Sequence, residues 1–369
     1  MASTSRQLVK EALTFGSPAR VPRHLWTLPW AEIHYPKELA ELQRDFPSDI
    51  VVAPMAGNPA PCRKGDPYQV GEAVDDWGAI FTNIQAGVHG EVKRPILVGD
   101  SPDPKAIRPP VENIPADKTL ARDMINRFCA STDRFVLAGN LPRPWERYQF
   151  MRGTEASLVD VMMPEEGLAE CLKVIHGHYM REMEFWVTTD VDGVFFMDDW
   201  GSQTQLLIPP DIWRALFKPL YKDYCDLAHA HGKFAFMHSD GYIAEIYEDL
   251  VEVGINAQNS QLFVMDMAEL AKRVKGKITF WGEMDRQHVL TSKDPEVGRK
   301  GVRTVASYLY DKRGGVIAQY EFGPGTNPVT AKAVFEEWLL LPEFCTKKVQ
   351  NSLCNSSQGG CCRKDVTFC

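Results

Sequence analysis

The sequence has no surplus of positive charge: 41 Lys and Arg stand against 49 Asp and Glu, a net charge of −8. Without basic residues to neutralise phosphates, electrostatic binding of nucleic acid is excluded as the main function. No apolar run approaches the roughly 18 residues that a membrane span needs. Met1–Arg6 has no apolar core of a secretory leader, so the expected location is the cytosol. Cysteine is scarce over most of the chain. Four (Cys62, Cys129, Cys171, Cys225) occupy the first 344 residues, and five (Cys345, Cys354, Cys361, Cys362, Cys369) crowd the last 25. That distribution fits a reduced intracellular enzyme and excludes a disulfide scaffold. What remains is ordinary for a globular protein: 369 residues, 44% of them apolar, enough for two average domains or one large barrel.

Hydrophobic patterning divides the chain. Residues 5–15 read as a short amphipathic helix ended by Gly16 and Pro18. Residues 17–115 are rich in Pro, Gly and Trp and predict an irregular segment, with extended pieces at 50–52 and 79–81 and no long helix. A helix near 117–131, a strand at 135–138 and a long helix over 165–186 follow. Then short apolar runs at 193–197, 234–237, 255–257, 278–281 and 316–319 alternate with helical patterns at about 210–230, 243–252, 266–275, 295–311 and 328–340. Short strands buried on both faces and separated by helices indicate βαβ units and a parallel sheet. At least five such units without a glycine-rich dinucleotide fingerprint predict an α/β fold of the (β/α)8 (TIM) barrel type rather than an open sheet. Gly323-Pro-Gly325 lacks the rest of that fingerprint. The barrel is expected to be a single domain over residues 1–342, followed by a Cys-rich tail, 343–369.

The strand ends carry the chemistry. Asp198-Asp199-Trp200-Gly201, His238-Ser239-Asp240-Gly241, Gly282-Glu283-Met284-Asp285 and Glu321-Phe322-Gly323 each follow an apolar run. Barrel enzymes build their sites at the C-terminal ends of strands, so four polar ends on one rim predict a site there. A lone Asp at such a place is as readily a helix cap; the Asp198-Asp199 and His238/Asp240 pairs favour function. Residues two apart on a strand share a face, which places His238 beside Asp240 and turns Phe195 and Phe196 opposite ways. His176 and His178, two apart on a helix, make no metal pair. His229 and His231 belong to a helix C-terminus, and Cys225 to the core.

Three segments, Asp192-Gly-Val-Phe-Phe-Met-Asp-Asp199, Phe236-Met-His-Ser-Asp-Gly241 and Phe280-Trp-Gly-Glu-Met-Asp285, closely resemble the uroporphyrinogen decarboxylase superfamily, most of all its corrinoid-dependent methyltransferase branch. Arg20-Val-Pro22 and Val74-Asp-Asp-Trp-Gly78 resemble the same branch more loosely, and the likeness covers about residues 5–340. It implies a (β/α)8 barrel and one of two chemistries. The decarboxylases act without a cofactor on a tetrapyrrole bearing many carboxylates, and carry an N-terminal Arg-Gln-Ala-Gly-Arg-Tyr signature. Here His24-Leu-Trp-Thr-Leu-Pro-Trp30 stands at the comparable place. Such an aromatic stretch would leave buried carboxylates unpaired. Asp49 stands near the early-strand acid of the decarboxylases, but its surroundings match too weakly to carry that role.

The methyltransferases pass a methyl group to or from the cobalt of a cobalamin held by a separate corrinoid protein. Those acting on a thiol bind zinc through a His-x-Cys pair and a later Cys. This sequence keeps the histidine as His238 but has Asp240 for the first cysteine and Tyr320-Glu321-Phe322 where the second would stand. A soft thiolate site is therefore missing. The resemblance leaves a harder zinc set of His238, Asp240 and Glu321, open to a substrate oxygen. In the metal-free alternative His238 is a general acid whose tautomer Asp240 or Asp199 fixes.

The expected function is a methyltransferase that takes methyl from a methoxylated, aromatic small molecule and gives it to a corrinoid protein. A cofactor-free decarboxylase is the first alternative, and a non-catalytic ligand-binding barrel the second. Catalytic roles fall to His238, Asp199, Glu283 and Asp285, the last equally able to orient substrate or brace the barrel. Trp30, Trp77, Asp198, Trp200 and Asn259 are expected to contact substrate, since aromatic walls suit a flat ring. The tail has no zinc spacing and is expected to be a disordered extension.

Overall fold

Alternation along very short strands builds this protein. The computed structural model describes residues 3–164 and 166–354, with side chains to Leu341. Its strands are β1 (Arg23–Thr27), β2 (Ile50–Val52), β3 (Gly71–Val74), β4 (Ile80–Asn83), β5 (Glu91–Arg94), β6 (Phe135–Leu137), β7 (Gly193–Met197), β8 (Phe234–Ser239), β9 (Ala257–Ser260), β10 (Thr279–Trp281) and β11 (Val316–Phe322). Eight of them pair in the order β1-β11-β10-β9-β8-β7-β6-β2, every contact parallel. Helices pack around them, so the fold is the (β/α)8 barrel that the alternation of patterns predicts. Among the described residues no helix is long and apolar enough to cross a membrane.

Side chains of period two fill two separate cores. Phe135, Leu137, Phe236, Trp281 and Ile317 point into the barrel, and Val9 and Leu13 from the helix Ser5–Leu13 join them there. Val194, Phe196, Met237, Phe280 and Tyr320 point outward into the larger layer between strands and helices. Phe195 and Phe196 divide as expected: Phe195 packs on the inner cluster, and Phe196 stacks outward on Tyr221.

The edge strands β1 and β2 are drawn together by Asp49. Its backbone N–H donates to the Arg23 carbonyl at 2.8 Å, and its Oδ2 accepts the Arg23 N–H at 2.8 Å. The same carboxylate takes both terminal nitrogens of Arg20, at 2.7 and 2.6 Å, and the Ser5 hydroxyl at 2.6 Å. Asp49 precedes β2, at the end of the barrel opposite the C-terminal ends of the strands, where polar residues serve stability.

The segment 17–115 is more ordered than its composition predicts. It holds β1 and β2, the helices Pro29–His34 and Pro36–Asp45, and an antiparallel sheet of β3, β4 and β5. Both helices begin at a proline, whose missing N–H costs nothing at a first turn; prolines read as loop signals in the sequence are helix starts. The helical pattern at 210–230 divides into Pro210–Leu216 and Lys218–Ala230, because Pro219 cannot donate within a continuous helix. The last helix, Pro328–Cys354, crosses the boundary expected at 342, and residues 355–369 of the tail lie outside the described residues.

Asp49→Ala removes an acceptor from three donors at once. Because Arg20 partly reaches solvent, the expected loss is about 2–3 kcal/mol of unfolding free energy, below that of a fully buried pair. It should be read as a lower urea midpoint.

Candidate functional site

The barrel mouth has an aromatic floor. Trp26 lies edge-on to Trp281 at 5.2 Å between ring centres, Phe195 lies 5.2 Å from Trp281, and His24 stacks on Trp281 at 5.6 Å. A cavity of about 280 Å³ opens above these rings, bordered also by Val52, Leu137 and Glu321.

His238, in β8, stands next to this floor with its ring 5.3 Å from Trp26. Its orientation is decided by Asn259 in β9. Both amide hydrogens of Asn259 are committed, one to the Trp281 carbonyl and one to Gln319 Oε1 at 2.8 Å. Asn259 Oδ1 must then accept, and it receives His238 Nδ1–H at 2.6 Å. The other ring nitrogen, Nε2, faces two carboxylates, Asp199 Oδ1 at 3.4 Å and Asp240 Oδ1 at 3.6 Å. Burial alone would strip the proton from this imidazole. The Asp199 contact and the charges of Asp240 and Asp199 outweigh it and raise the pKa to about 10.

Asp199 and Asp240 are adjacent because the loops after β7 and β8 are laced together. Gly201 N–H donates to the Asp240 carbonyl at 3.0 Å, Tyr242 N–H to the Ser202 carbonyl at 2.8 Å, and Asp240 N–H to Asp199 Oδ1 at 2.9 Å. Gly201 and Gly241 permit this: a Cβ on Gly241, whose φ is +78°, would lie 2.2 Å from the Gly201 carbonyl oxygen.

Arg286, which the sequence reading missed, is the second cation of the mouth. It donates to Asp240 Oδ2 at 2.6 Å, with Glu283 Oε1 at 3.0 Å and Glu321 Oε1 at 3.4 Å. Burial pushes the Glu283 carboxyl up to about 8 despite that guanidinium, and raises Glu321 as well. Arg286 lies three residues beyond Glu283, an available signal; that it would reach three strand ends was not. Gln319 was legible only as the inward neighbour, two residues before Glu321.

The structure thus gathers His238, Asp199, Asp240, Glu283, Glu321 and Asn259 at the mouth. Within that group Asp199, His238 and Asp240 bring ligand atoms within 4.8 Å of one another. Asp240 Oδ1 is buried without a hydrogen-bond partner. One imidazole and two carboxylates, with an unmatched oxygen among them, fit a zinc ion. Asp199 rather than Glu321 completes the closest set, since Glu321 is turned to Arg286.

The remaining candidates lie elsewhere. Asp198, one residue from Asp199, faces outward and is fully buried. It accepts the backbone N–H groups of Trp145 and Glu146 and the Tyr221 hydroxyl, at 3.1, 2.7 and 2.7 Å. It therefore caps the helix Pro144–Arg152. Trp200 is also fully buried, donating to Tyr221 at 2.8 Å and stacking on Trp145. Asp285 accepts the N–H groups of Gln287 and His288 at 2.7 and 3.0 Å, which braces a turn. Trp30 stacks on His34 at 4.2 Å. Trp77 lines a second cavity, of about 400 Å³, under the β3–β4–β5 sheet.

A pKa raised from 6.5 to about 10 means that imidazolium stabilises the fold. That contribution is complete below pH 6.5 and is lost as pH rises through about 10. In metal-free protein His238 should titrate near that value by NMR, and Asp199→Asn should bring it down. Zinc requires the deprotonated ring, so its uptake should release a proton and strengthen as pH rises; calorimetry in buffers of different ionisation enthalpy measures this.

The family described as Uroporphyrinogen decarboxylase (URO-D) matches residues 83–338. No curated protein matches. A solved methyltransferase from Methanosarcina mazei has a similar fold, with a TM-score of 0.64 at 12% identity, covering 91% of this chain and 98% of the other. An endo-β-1,4-xylanase from Gloeophyllum trabeum aligns with a TM-score of 0.43 at 11% identity, over 89% of this chain and 99% of its own. At these identities the likeness is one of fold. The match over residues 83–338, well over half of the sequence, is the firmer finding: the chain belongs to the uroporphyrinogen decarboxylase family.

Proposed function

We propose that this protein is a methyltransferase that removes a methyl group from a methoxylated aromatic compound and passes it to the cobalt of a cobalamin on a separate corrinoid protein. The observation that carries this reading is the placement of His238 beside an aromatic floor, its Nδ1 held by Asn259 and its Nε2 turned to Asp199 and Asp240 at the mouth. The floor of Trp26, Phe195 and Trp281 suits a flat ring.

When an aryl methyl ether loses its methyl group, the bonding electron pair stays on the aryl oxygen. That oxygen then needs a proton or a positive charge. A phenol has a pKa of about 10, close to the value of His238, so Nε2–H is matched to the leaving oxygen as a general acid. Asp199 and Asp240 keep the ring charged until then, and Arg286 holds Asp240, Glu283 and Glu321 in place. A zinc ion held by His238, Asp199 and Asp240 would supply the same positive charge as a Lewis acid. The aromatic His24–Trp30 stretch in place of an arginine signature weighs against a polycarboxylate tetrapyrrole as substrate.

Mixing the protein with a corrinoid protein in its Co(I) state and a methoxybenzoate should consume the Co(I) absorbance and release the phenol in equal amounts. His238→Ala should lower the rate by roughly 10²–10⁴-fold. Stoichiometric zinc in purified protein, lost in that variant, would assign the charge to the ion rather than the proton. A panel of methoxylated aromatics that leaves Co(I) untouched, with uroporphyrinogen consumed instead, would overturn the reading.

A further inference from the structure

The 400 Å³ cavity lies between the barrel rim and the β3–β4–β5 sheet, and its size is that of a small-molecule site. Trp77, Phe81, Phe150 and Tyr179 wall it. Three arginines also line it, and two are already matched. Arg63 pairs with Asp76 at 3.3 Å. Arg147 pairs with Asp75 and lies over the rings of Trp77 and Phe150, at 5.2 and 5.5 Å.

Arg143 is different. Among the described residues its Nη2 donates to the Met197 sulfur alone, a weak acceptor, at 2.7 Å, and its Nη1 makes a long ion pair with Glu146 at 3.8 Å, beyond hydrogen-bond range. Glu146 is itself buried, with its carboxyl pushed up to about 7, and offers an incomplete countercharge near neutral pH. Three residues away, both polar atoms of the Asn140 amide are buried with no partner among the described residues. Asn113, which also lines the cavity, has its Oδ1 buried and unmatched among the described residues. Unmet buried groups of this kind cost stability unless a ligand satisfies them.

Arg143 also marks where this cavity meets the barrel mouth. Met197, which it touches, is the register partner of His238 on the neighbouring strand, and adjacent strands run about 4.8 Å apart. We propose that the cavity receives the non-reacting end of the methyl donor, and that this end is a carboxylate bound by Arg143 and Asn140. This rests on the methyltransferase reading in taking the ligand to be the donor. Among the described lining residues one guanidinium lacks a strong acceptor, which matches one anionic group rather than the many of a tetrapyrrole.

The test is binding of a methoxybenzoate and of the matching neutral methoxybenzamide, followed by calorimetry. Wild-type protein should bind the benzoate roughly tenfold or more tightly than the amide. Arg143→Ala should abolish that difference while leaving amide binding within about twofold, which also reports an intact fold, and Arg143→Lys should restore part of it. Asn140→Ala should weaken the benzoate more than the amide. Equal affinities in the wild type, or a preference that survives Arg143→Ala, would sink the subsite. If the preference holds but Co(I) corrinoid protein is not consumed, the subsite stands and the methyl-transfer reading falls. If both compounds are demethylated with the same kcat/KM, the reading stands and the subsite falls.

Discussion

The alternation of side chains across a strand decides which polar residues of this protein reach its mouth. On β7, Phe195 points inward and Phe196 outward. The same parity carries past the strand end, so Asp199 meets His238 while Asp198 caps a helix in the outer layer. On β8 it brings His238 and Asp240 together. A shift of one residue would exchange every one of these roles, because each strand is packed on both faces and no position is neutral.

Charge is the second organising constraint. Asp199, Asp240, Glu283 and Glu321 converge on a partly desolvated mouth and share two cations, His238 and Arg286. Burial and neighbouring carboxylates raise Glu283 and Glu321 despite the arginine, whereas the contact with His238 lowers Asp199 against its burial. The imidazole is instead supported by Asp199 and Asp240. It holds its proton far above the ordinary range, and Asn259 ensures that the proton facing the mouth is the one on Nε2.

The two ends of the barrel divide the work. Asp192 holds Arg6 and Lys10, and Asp49 holds Ser5, which fastens the N-terminal helix to the end of the barrel opposite the mouth, while Asp49 also pairs with Arg20. At the other end the polar groups are fastened to one another, through the Gly201–Gly241 contact and the Arg286 contacts, leaving Oδ1 of Asp240 without a hydrogen-bond partner among the described residues. The β3–β4–β5 sheet adds a roof that the barrel alone does not require, and the second cavity lies beneath it.

The sequence by itself determined the barrel and the rim. Runs buried on both faces, spaced by helices, leave few other topologies, and a period of two places His238 with Asp240 without any coordinates. Local pattern found the extended piece at 50–52 that is β2, but failed where elements show none: β1 and the proline-led helices of residues 17–115 read as irregular. Only the tertiary structure decided between Asp198 and Asp199, sent Trp200 into the outer layer, and turned Glu321 toward Arg286 rather than His238. It alone found Gln319, Arg286, Arg143 and the unmatched amide of Asn140. The reason is physical. Periodicity records which face a residue occupies, whereas a site depends on which strands stand beside each other and on how many partners compete for each charge; both arise between segments far apart in the chain.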